Sequence, residues 1–356
     1  MRFLYVVGAR PNFVKTAPVV AALKRRFPND EHVLVHTGQH YDADMSERFL
    51  EELEMPEPNA RLGVGSGTHA EQTARVMEAL ESLVVSDPPD LAFVPGDVNS
   101  TLGASLVFAK LGVPYAHIES GLRSFDRSMP EEINRIVADE FGAFLFAHSD
   151  EAVANLAAEG IDSSRVHLVG NTMIDTLVRL EPRFGALGTA RELGLHPGDF
   201  LLVTLHRPSL VDTDELAAVL GHLDALASDL PVLFPVHPRT QRRIDGRSYP
   251  RVRFTQPLGY LEFLSLESDA AAVLTDSGGV QEETTYLGVP CFTLRTTTER
   301  PVTIRMGTNV LLGLDPGRVA AIPDLLRERE GRETERPPLW DGRASERIAD
   351  VLERSL

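Results

Sequence analysis

The chain has 356 residues, of which 43% are hydrophobic and 24% charged, and a formal net charge of −17. That length suits two domains of ordinary size, and the acidic balance argues against nonspecific binding to nucleic acid or to a membrane surface. The single cysteine, Cys291, excludes an intrachain disulfide and any multi-cysteine metal site, and its apolar neighbours make a buried structural thiol the expectation.

Short apolar runs alternate with helical patterns along the whole chain. The first strand, Arg2–Val7, starts at once, without the cationic start, long apolar stretch and cleavage site of a leader, which points to a cytosolic protein. No window approaches a membrane span. Further strands are expected at His32–His36, Leu91–Pro95, Tyr115–Ile118, Phe144–Ala147 and Val166–Val169. After a break near Pro182–Pro197 they resume at Phe200–Leu205, Val232–Val236, Val252–Thr255, Ala271–Thr275, Cys291–Leu294 and Val310–Leu312. Continuous apolar runs are what parallel strands buried on both faces require. Helical patterns such as Glu71–Val84, Leu102–Leu111 and Glu215–Ala227 fill the gaps. The strand–helix–strand signature therefore occurs twice, giving an α/β fold of two Rossmann-like, doubly wound domains, residues 1–180 and 181–342. The last helix, 343–356, packs on one or the other. Ligands of open α/β sheets bind at the carboxyl ends of strands, so a cleft between the two domains is the expected binding place.

The polar residues of interest sit at those strand ends. After the first strand, Gly8 permits a tight turn, and Arg10 and Lys15 bring two cations suited to phosphate. Asp97 ends the run LAFVPGD and is either a helix cap or, since Asn99 and Ser100 lie nearer the helix, free for chemistry. Glu119 closes an otherwise apolar strand, and is either paired, with Arg123 as the local partner, or a tuned acid/base group. Glu131 and Glu132 follow Pro130 at a helix start, where acids are expected anyway. Three carboxylates at one sheet edge, Asp97, Glu119 and Glu131, allow one to act as acid while another acts as base.

In the second half, His206 and Arg207 end one strand and His237 ends the next. Asp276-Ser277-Gly278-Gly279 links a strand to a helix starting near Val280, and is either an ordinary capped strand–turn–helix or, through the two glycines and the helix amides, an anion site. Glu283, placed on the first turn, suits sugar hydroxyls, so the ligand read from this turn is a nucleotide sugar. Phe263 either flanks a base or packs in the core, and Arg300 either closes over the diphosphate or braces Glu283. The histidines form no zinc-type array, and no motif supports NAD, ATP hydrolysis or a serine nucleophile.

Ten motifs in order carry a resemblance over essentially the whole chain: GARPNFVK, TGQH, GDVNST, HIESGLRS, PEEINR, GNTMID, LHR, PVHPRT, TDSGGVQEE and TTERP. Together the sequence resembles the non-hydrolysing UDP-N-acetylglucosamine 2-epimerases. The resemblance implies the glycosyltransferase-B arrangement with the active site between domains, and a last helix returned to the first domain. It implies catalysis by Asp97, Glu119, Glu131 and His206. Substrate binding would involve Arg10, Lys15, Arg123, Arg135, His237, Phe263, Ser277, Gly278, Gly279, Glu283 and Arg300. Ser277, Gly278 and Gly279 would hold the diphosphate with Arg10, and Glu283 the ribose. UDP would leave by anti elimination to give 2-acetamidoglucal and then re-add, with no cofactor, no metal and a homodimeric enzyme.

The sequence departs from the common pattern of that family at several points. Asn12 stands where many members carry glutamate, as in relatives acting on UDP-2,3-diacetamido-2,3-dideoxyglucuronate. Pro208-Ser209 replaces a frequent acidic residue, Leu258 a frequently polar one, and the loop after Gly63 differs from members with a second, allosteric substrate site. A glycosyltransferase of the same architecture, a silent nucleotide-sugar sensor, or a hydrolysing epimerase, against which GARPNFVK argues, are the competing expectations.

Overall fold

The computed structural model describes residues 1–38, 43–236, 238–244, 247–329, 331 and 334–356. Its backbone separates into two compact units, Met1–Arg179 with Pro338–Leu356, and Leu180–Pro337.

The first unit is built on strands β1 (Arg2–Val7), β2 (Glu31–His36), β3 (Ala60–Arg61), β4 (Leu91–Pro95), β5 (Tyr115–Ser120), β6 (Phe144–Ala147) and β7 (Val166–Leu168). They lie in the order β3-β2-β1-β4-β5-β6-β7, with every pair parallel. Alternate residues face opposite sides of the sheet. Leu4, Val6, Val33, Val35, Ala92 and Val94 pack on one face with Leu80 and Val84 of helix His69–Ser86 and Phe108 of helix Asn99–Leu111. Thr68 caps the first of these helices by accepting the Glu71 N–H, while Glu71 returns the bond to the Thr68 N–H.

The second unit holds β8 (Leu201–Thr204), β9 (Val232–Pro235), β10 (Val252–Thr255), β11 (Ala272–Thr275), β12 (Cys291–Thr293) and β13 (Asn309–Leu311), in the order β10-β9-β8-β11-β12-β13 and all parallel. In both sheets the chain winds outward one way and then the other from the first strand. The switch points lie between β1 and β4 in one and between β8 and β11 in the other. Connections leave opposite faces there and part, so the strand ends form a crevice.

Three features depart from the sequence reading. Strand β3 was not anticipated, because two residues are too short for any periodic pattern. β5 continues past Ile118 to Ser120 through a register shift between those residues. Trp340 belongs to the first unit: it is buried there, edge-on to His148, and its indole N–H donates to the His148 carbonyl at 3.1 Å. The last helix, Ala344–Ser355, follows it and packs through Ile348, Ala349 and Leu352 against helix Arg10–Arg26. Asp175 caps that helix from another element, accepting the Ala344 and Ser345 N–H groups at 2.9 and 2.6 Å.

Cys291 is buried in β12, and burial pushes its thiol up to about 12. It is an inert core residue. Among the described residues no helix is long and apolar enough to cross a membrane. Replacing Trp340 with Ala should cost about 3–5 kcal/mol of stability, read from urea unfolding by circular dichroism; a loss under about 1 kcal/mol would contradict its place as a core residue.

Candidate active site

At the switch point of the first sheet, Gly8 and Ala9 turn from β1 into helix Arg10–Arg26. Asn12 is the clamp of this turn. Its Oδ1 accepts the Gly8 and Ala9 N–H groups, each at 3.1 Å, and its Nδ2 donates to the Pro95 carbonyl at the end of β4 at 3.0 Å. Gly8 has no room for a side chain, since a Cβ would lie 2.2 Å from Ser100 Oγ. Arg10 is exposed at the helix start, with its guanidinium 4.8 Å from the Phe49 ring centroid.

One turn further, Lys15 is buried and its ammonium pairs with Glu119 Oε2. Arg123 is therefore not the partner of Glu119. It is taken up by Asp139 and Glu159, at 2.7 Å each, and its guanidinium is buried. Glu119 also has φ of +69°, a left-handed conformation rarely adopted by residues with a Cβ. Backbone strain of this kind concentrates at functional positions. Gly96, at φ +62°, sits beside the pair: a Cβ there would lie 3.0 Å from Lys15 Nζ and 3.5 Å from Glu119 Oε2.

Asp97 is gripped by Arg135, which holds its Oδ2 through Nε at 3.0 Å and Nη2 at 2.5 Å. The two acids of the PEEINR motif separate in role. Glu132 is buried and accepts the Ser124 N–H, the Ser124 hydroxyl, the Phe125 N–H and Arg135 Nη1, at 2.8 to 3.1 Å. Glu131 is half-buried at the start of helix Pro130–Phe141 and makes no hydrogen bond or ion pair among the described residues. Asp97 thus follows β4, Glu119 lies near the end of β5 and Glu131 follows the connection after β5; Arg135 holds the first, Lys15 the second, and the third has no partner among the described residues.

At the second switch point, Asp276 follows β11 and is fully buried. Its Oδ2 accepts the His206 and Arg207 N–H groups at 2.9 and 2.8 Å, and its Oδ1 lies 3.0 Å from His206 Nδ1. Burial alone would raise this carboxyl, but His206 and the two amides hold it below the ordinary carboxylate range. The exposed His206 ring is thereby oriented. Asp276 is a site residue the sequence reading did not single out; its signal, a carboxylate ending an apolar strand, was the one that marked Glu119.

Helix Gly278–Leu287 begins two residues earlier than read, with Ser277 as N-cap and no side-chain cap. Its first amides have no partner within the helix, which is the anion-binding feature. Gly278 answers first to Arg300: a Cβ there would lie 2.5 Å from Arg300 Nη1. Arg300 braces Glu282 at 2.8 Å and Glu299 at 2.6 Å, not Glu283. Glu283 lies on the second turn rather than the first. Tyr260 donates to its Oε1 at 2.7 Å, and burial pushes its carboxyl up to about 7, with Tyr260 opposing and Glu282 adding to the rise. Glu267 is buried with both oxygens unpartnered among the described residues, and burial and the neighbouring Glu283 keep it well above the ordinary range. Phe263 packs against the core cluster of Phe200, Leu202 and Val273. His237 lies outside the described residues.

The fold class defined by these features is α/β, two Rossmann-like doubly wound units with polar residues gathered at the switch point of each sheet. The family model for UDP-N-acetylglucosamine 2-epimerase matches residues 22–353. The chain is 37% identical to the UDP-N-acetylglucosamine 2-epimerase of Methanocaldococcus jannaschii, over 99% of each chain. A crystal structure of a UDP-GlcNAc 2-epimerase from that organism in complex with UDP-GlcNAc and UDP superposes with a TM-score of 0.92, at 37% identity over 99% of this chain and 100% of that one. The UDP-2,3-diacetamido-2,3-dideoxy-D-glucuronate 2-epimerase of Pseudomonas aeruginosa is 40% identical over 88% of each chain. The protein belongs to the UDP-N-acetylglucosamine 2-epimerase family.

Glu283 also sets a pH signature. Its ordinary value is 4.5 and its folded value about 7, so between these the folded state keeps a proton that the unfolded chain releases. The stability it contributes is complete below 4.5 and lost as pH rises through 7. Urea unfolding at pH 5 and pH 8 should show a smaller decline for Glu283→Gln than for the parent, by on the order of 1–3 kcal/mol. Identical declines would refute the assignment.

Proposed function

We propose that the protein is a non-hydrolysing UDP-N-acetylglucosamine 2-epimerase. The observation that carries this reading is Glu119, a buried carboxylate in a left-handed strand-end conformation, paired with Lys15 and accompanied at the same sheet edge by Asp97 and Glu131. A base removes the C2 proton, the bond from C1 to the phosphate oxygen breaks, and UDP departs to leave 2-acetamidoglucal. UDP then re-adds at C1 while a proton is delivered to the opposite face of C2. Removing a proton from one face and supplying one to the other needs two groups, one in each protonation state. Asp97, Glu119 and Glu131 supply them.

The departing diphosphate needs positive potential. The amides at Ser277, Gly278 and Gly279, with Arg10 and His206, are assigned to it, and Glu283 with its Tyr260 partner to the ribose hydroxyls. Lys15 and Arg300 are assigned to the margin of the site, while Phe263 keeps the place in the core cluster where it packs. Arg135 and Arg123 act through the carboxylates they hold. The chemistry calls for no redox cofactor. A homodimer working in the cytosol completes the proposal, on family grounds.

A second reading is 2-epimerisation of a sugar carrying further substituents. The 40% identity to the P. aeruginosa enzyme and the amide at Asn12 favour it. Proton NMR in D2O separates the two. With UDP-GlcNAc the first reading expects deuterium at C2 and growth of UDP-ManNAc signals, without accumulation of free UDP. No exchange with UDP-GlcNAc, but exchange with the diacetamido uronate, would establish the second. Free UDP with released sugar would refute the non-hydrolysing assignment. Asp97→Asn, Glu119→Gln and Glu131→Gln should each lower kcat by about 10²- to 10⁴-fold in the same assay; a variant retaining full kcat would remove its residue from the acid/base set.

A further inference from the structure

His117, two residues before Glu119 on β5, is fully buried and has no part in the chemistry above. Both its ring nitrogens face acceptors. Nε2 lies 2.8 Å from the Gly96 carbonyl oxygen, and Nδ1 lies 2.6 Å from Asp139 Oδ1. A carbonyl oxygen has no proton to give. Asp139 has none either: its Oδ2 accepts the Gly121 N–H at 3.1 Å and Arg123 at 2.7 Å. Its carboxyl stays below the ordinary range although burial works against it, and the Arg123 guanidinium against Oδ2 is one cause. A neutral imidazole has one N–H and would turn a lone pair toward one of these acceptors, in a place where water cannot relieve the conflict.

We propose that His117 is a buried imidazolium, protonated on both nitrogens, that acts as a positioning residue for the Asp97 and Glu119 carboxylates. Its lever is Gly96. The Gly96 N–H donates to the Ile118 carbonyl at 2.9 Å, and the Gly96 carbonyl receives the His117 proton. Gly96 is thus held by β5 through the peptide before it and the peptide after it, and the next residue is Asp97. The charged groups around the ring balance in pairs: His117 and Arg123 with Asp139 and Glu159, and Lys15 with Glu119 beside Gly96. A charge this deep is tolerated because its counterion and hydrogen bonds are complete. Removing it leaves Asp139 undercompensated and lets the Gly96 peptide rotate, which moves a reacting carboxylate rather than a binding group.

The inference deepens the epimerase reading, and its test separates the two. Ring nitrogen NMR of the histidine-labelled full chain at pH 8 should show His117 with N–H character at both nitrogens. A single tautomer with one bare nitrogen would overturn the proposal, whatever the activity. His117→Gln keeps a donor for the Gly96 carbonyl but carries no charge. Once circular dichroism shows it folded, it should lose about 10- to 100-fold in kcat with KM within about 3-fold, since uniform binding is untouched. Unchanged kcat in the folded variant would overturn the positioning role. If that variant does not fold, the ring spectrum of the parent still decides the charge state. An inactive parent enzyme with a doubly protonated ring would count against the epimerase reading alone.

Discussion

The ion pair between Lys15 and Glu119 is the contact on which the arrangement of the first unit depends. Neither charge is tolerable in a buried position without the other. The two residues are 104 apart in sequence and reach each other past the end of β4. That crossing explains Gly96, where any Cβ would crowd the lysine ammonium. It also accounts for the register shift at Ile118/Ser120, which turns Glu119 out of the regular pleat. Asn12, on the same helix as Lys15, ties β1 to β4 through the Pro95 carbonyl. Three strand ends are thus fixed around one pair of charges, and the proposed acid/base residues inherit their places from it.

The second unit solves a related problem differently. In the proposed function its helix presents bare amides to an anion, which leaves no place for side chains at the N-terminus. Ser277 leaves its hydroxyl off the cap, and Gly278 leaves room for Arg300. Glu299 takes Arg295 and Arg300, and Arg300 also meets Glu282. The positive charge nearest the turn is therefore largely compensated inside the protein. Asp276 does for His206 what Lys15 does for Glu119, orienting a chemically useful side chain through a buried partner. A site built on strand ends is only as well defined as these supporting contacts.

Most of the strand layout was legible because parallel strands buried on both faces appear as continuous apolar runs. β3 was not, because Ala60–Arg61 has no pattern to read. The candidate site residues stood out for the converse reason: Asp97, Glu119 and His206 interrupt apolar runs at a strand end. Their partners were not. Arg123, four residues on, was the local candidate for Glu119, but the left-handed turn at Glu119 sends the side chain to Lys15 instead. Arg300 was read as closing over the diphosphate or bracing Glu283; the acid of that helix it meets is Glu282, because adjacent helical residues point about 100° apart. Asp276 and His117 were passed over because a strand-end motif displays which groups are polar, not which acceptors a fold will place against them.

The central claim is reversible cleavage of the bond between C1 and the phosphate oxygen, driven by carboxylates at the edge of the first sheet. Positional isotope exchange tests it most directly. UDP-GlcNAc carrying 18O at the bridging oxygen between C1 and the β-phosphorus is incubated with the enzyme, and 31P NMR follows the label. Elimination and re-addition predict migration of 18O into the nonbridging β-phosphate positions as the epimers equilibrate, and its loss in Glu119→Gln. Epimerisation at C2 with the label still wholly in the bridge would contradict the account.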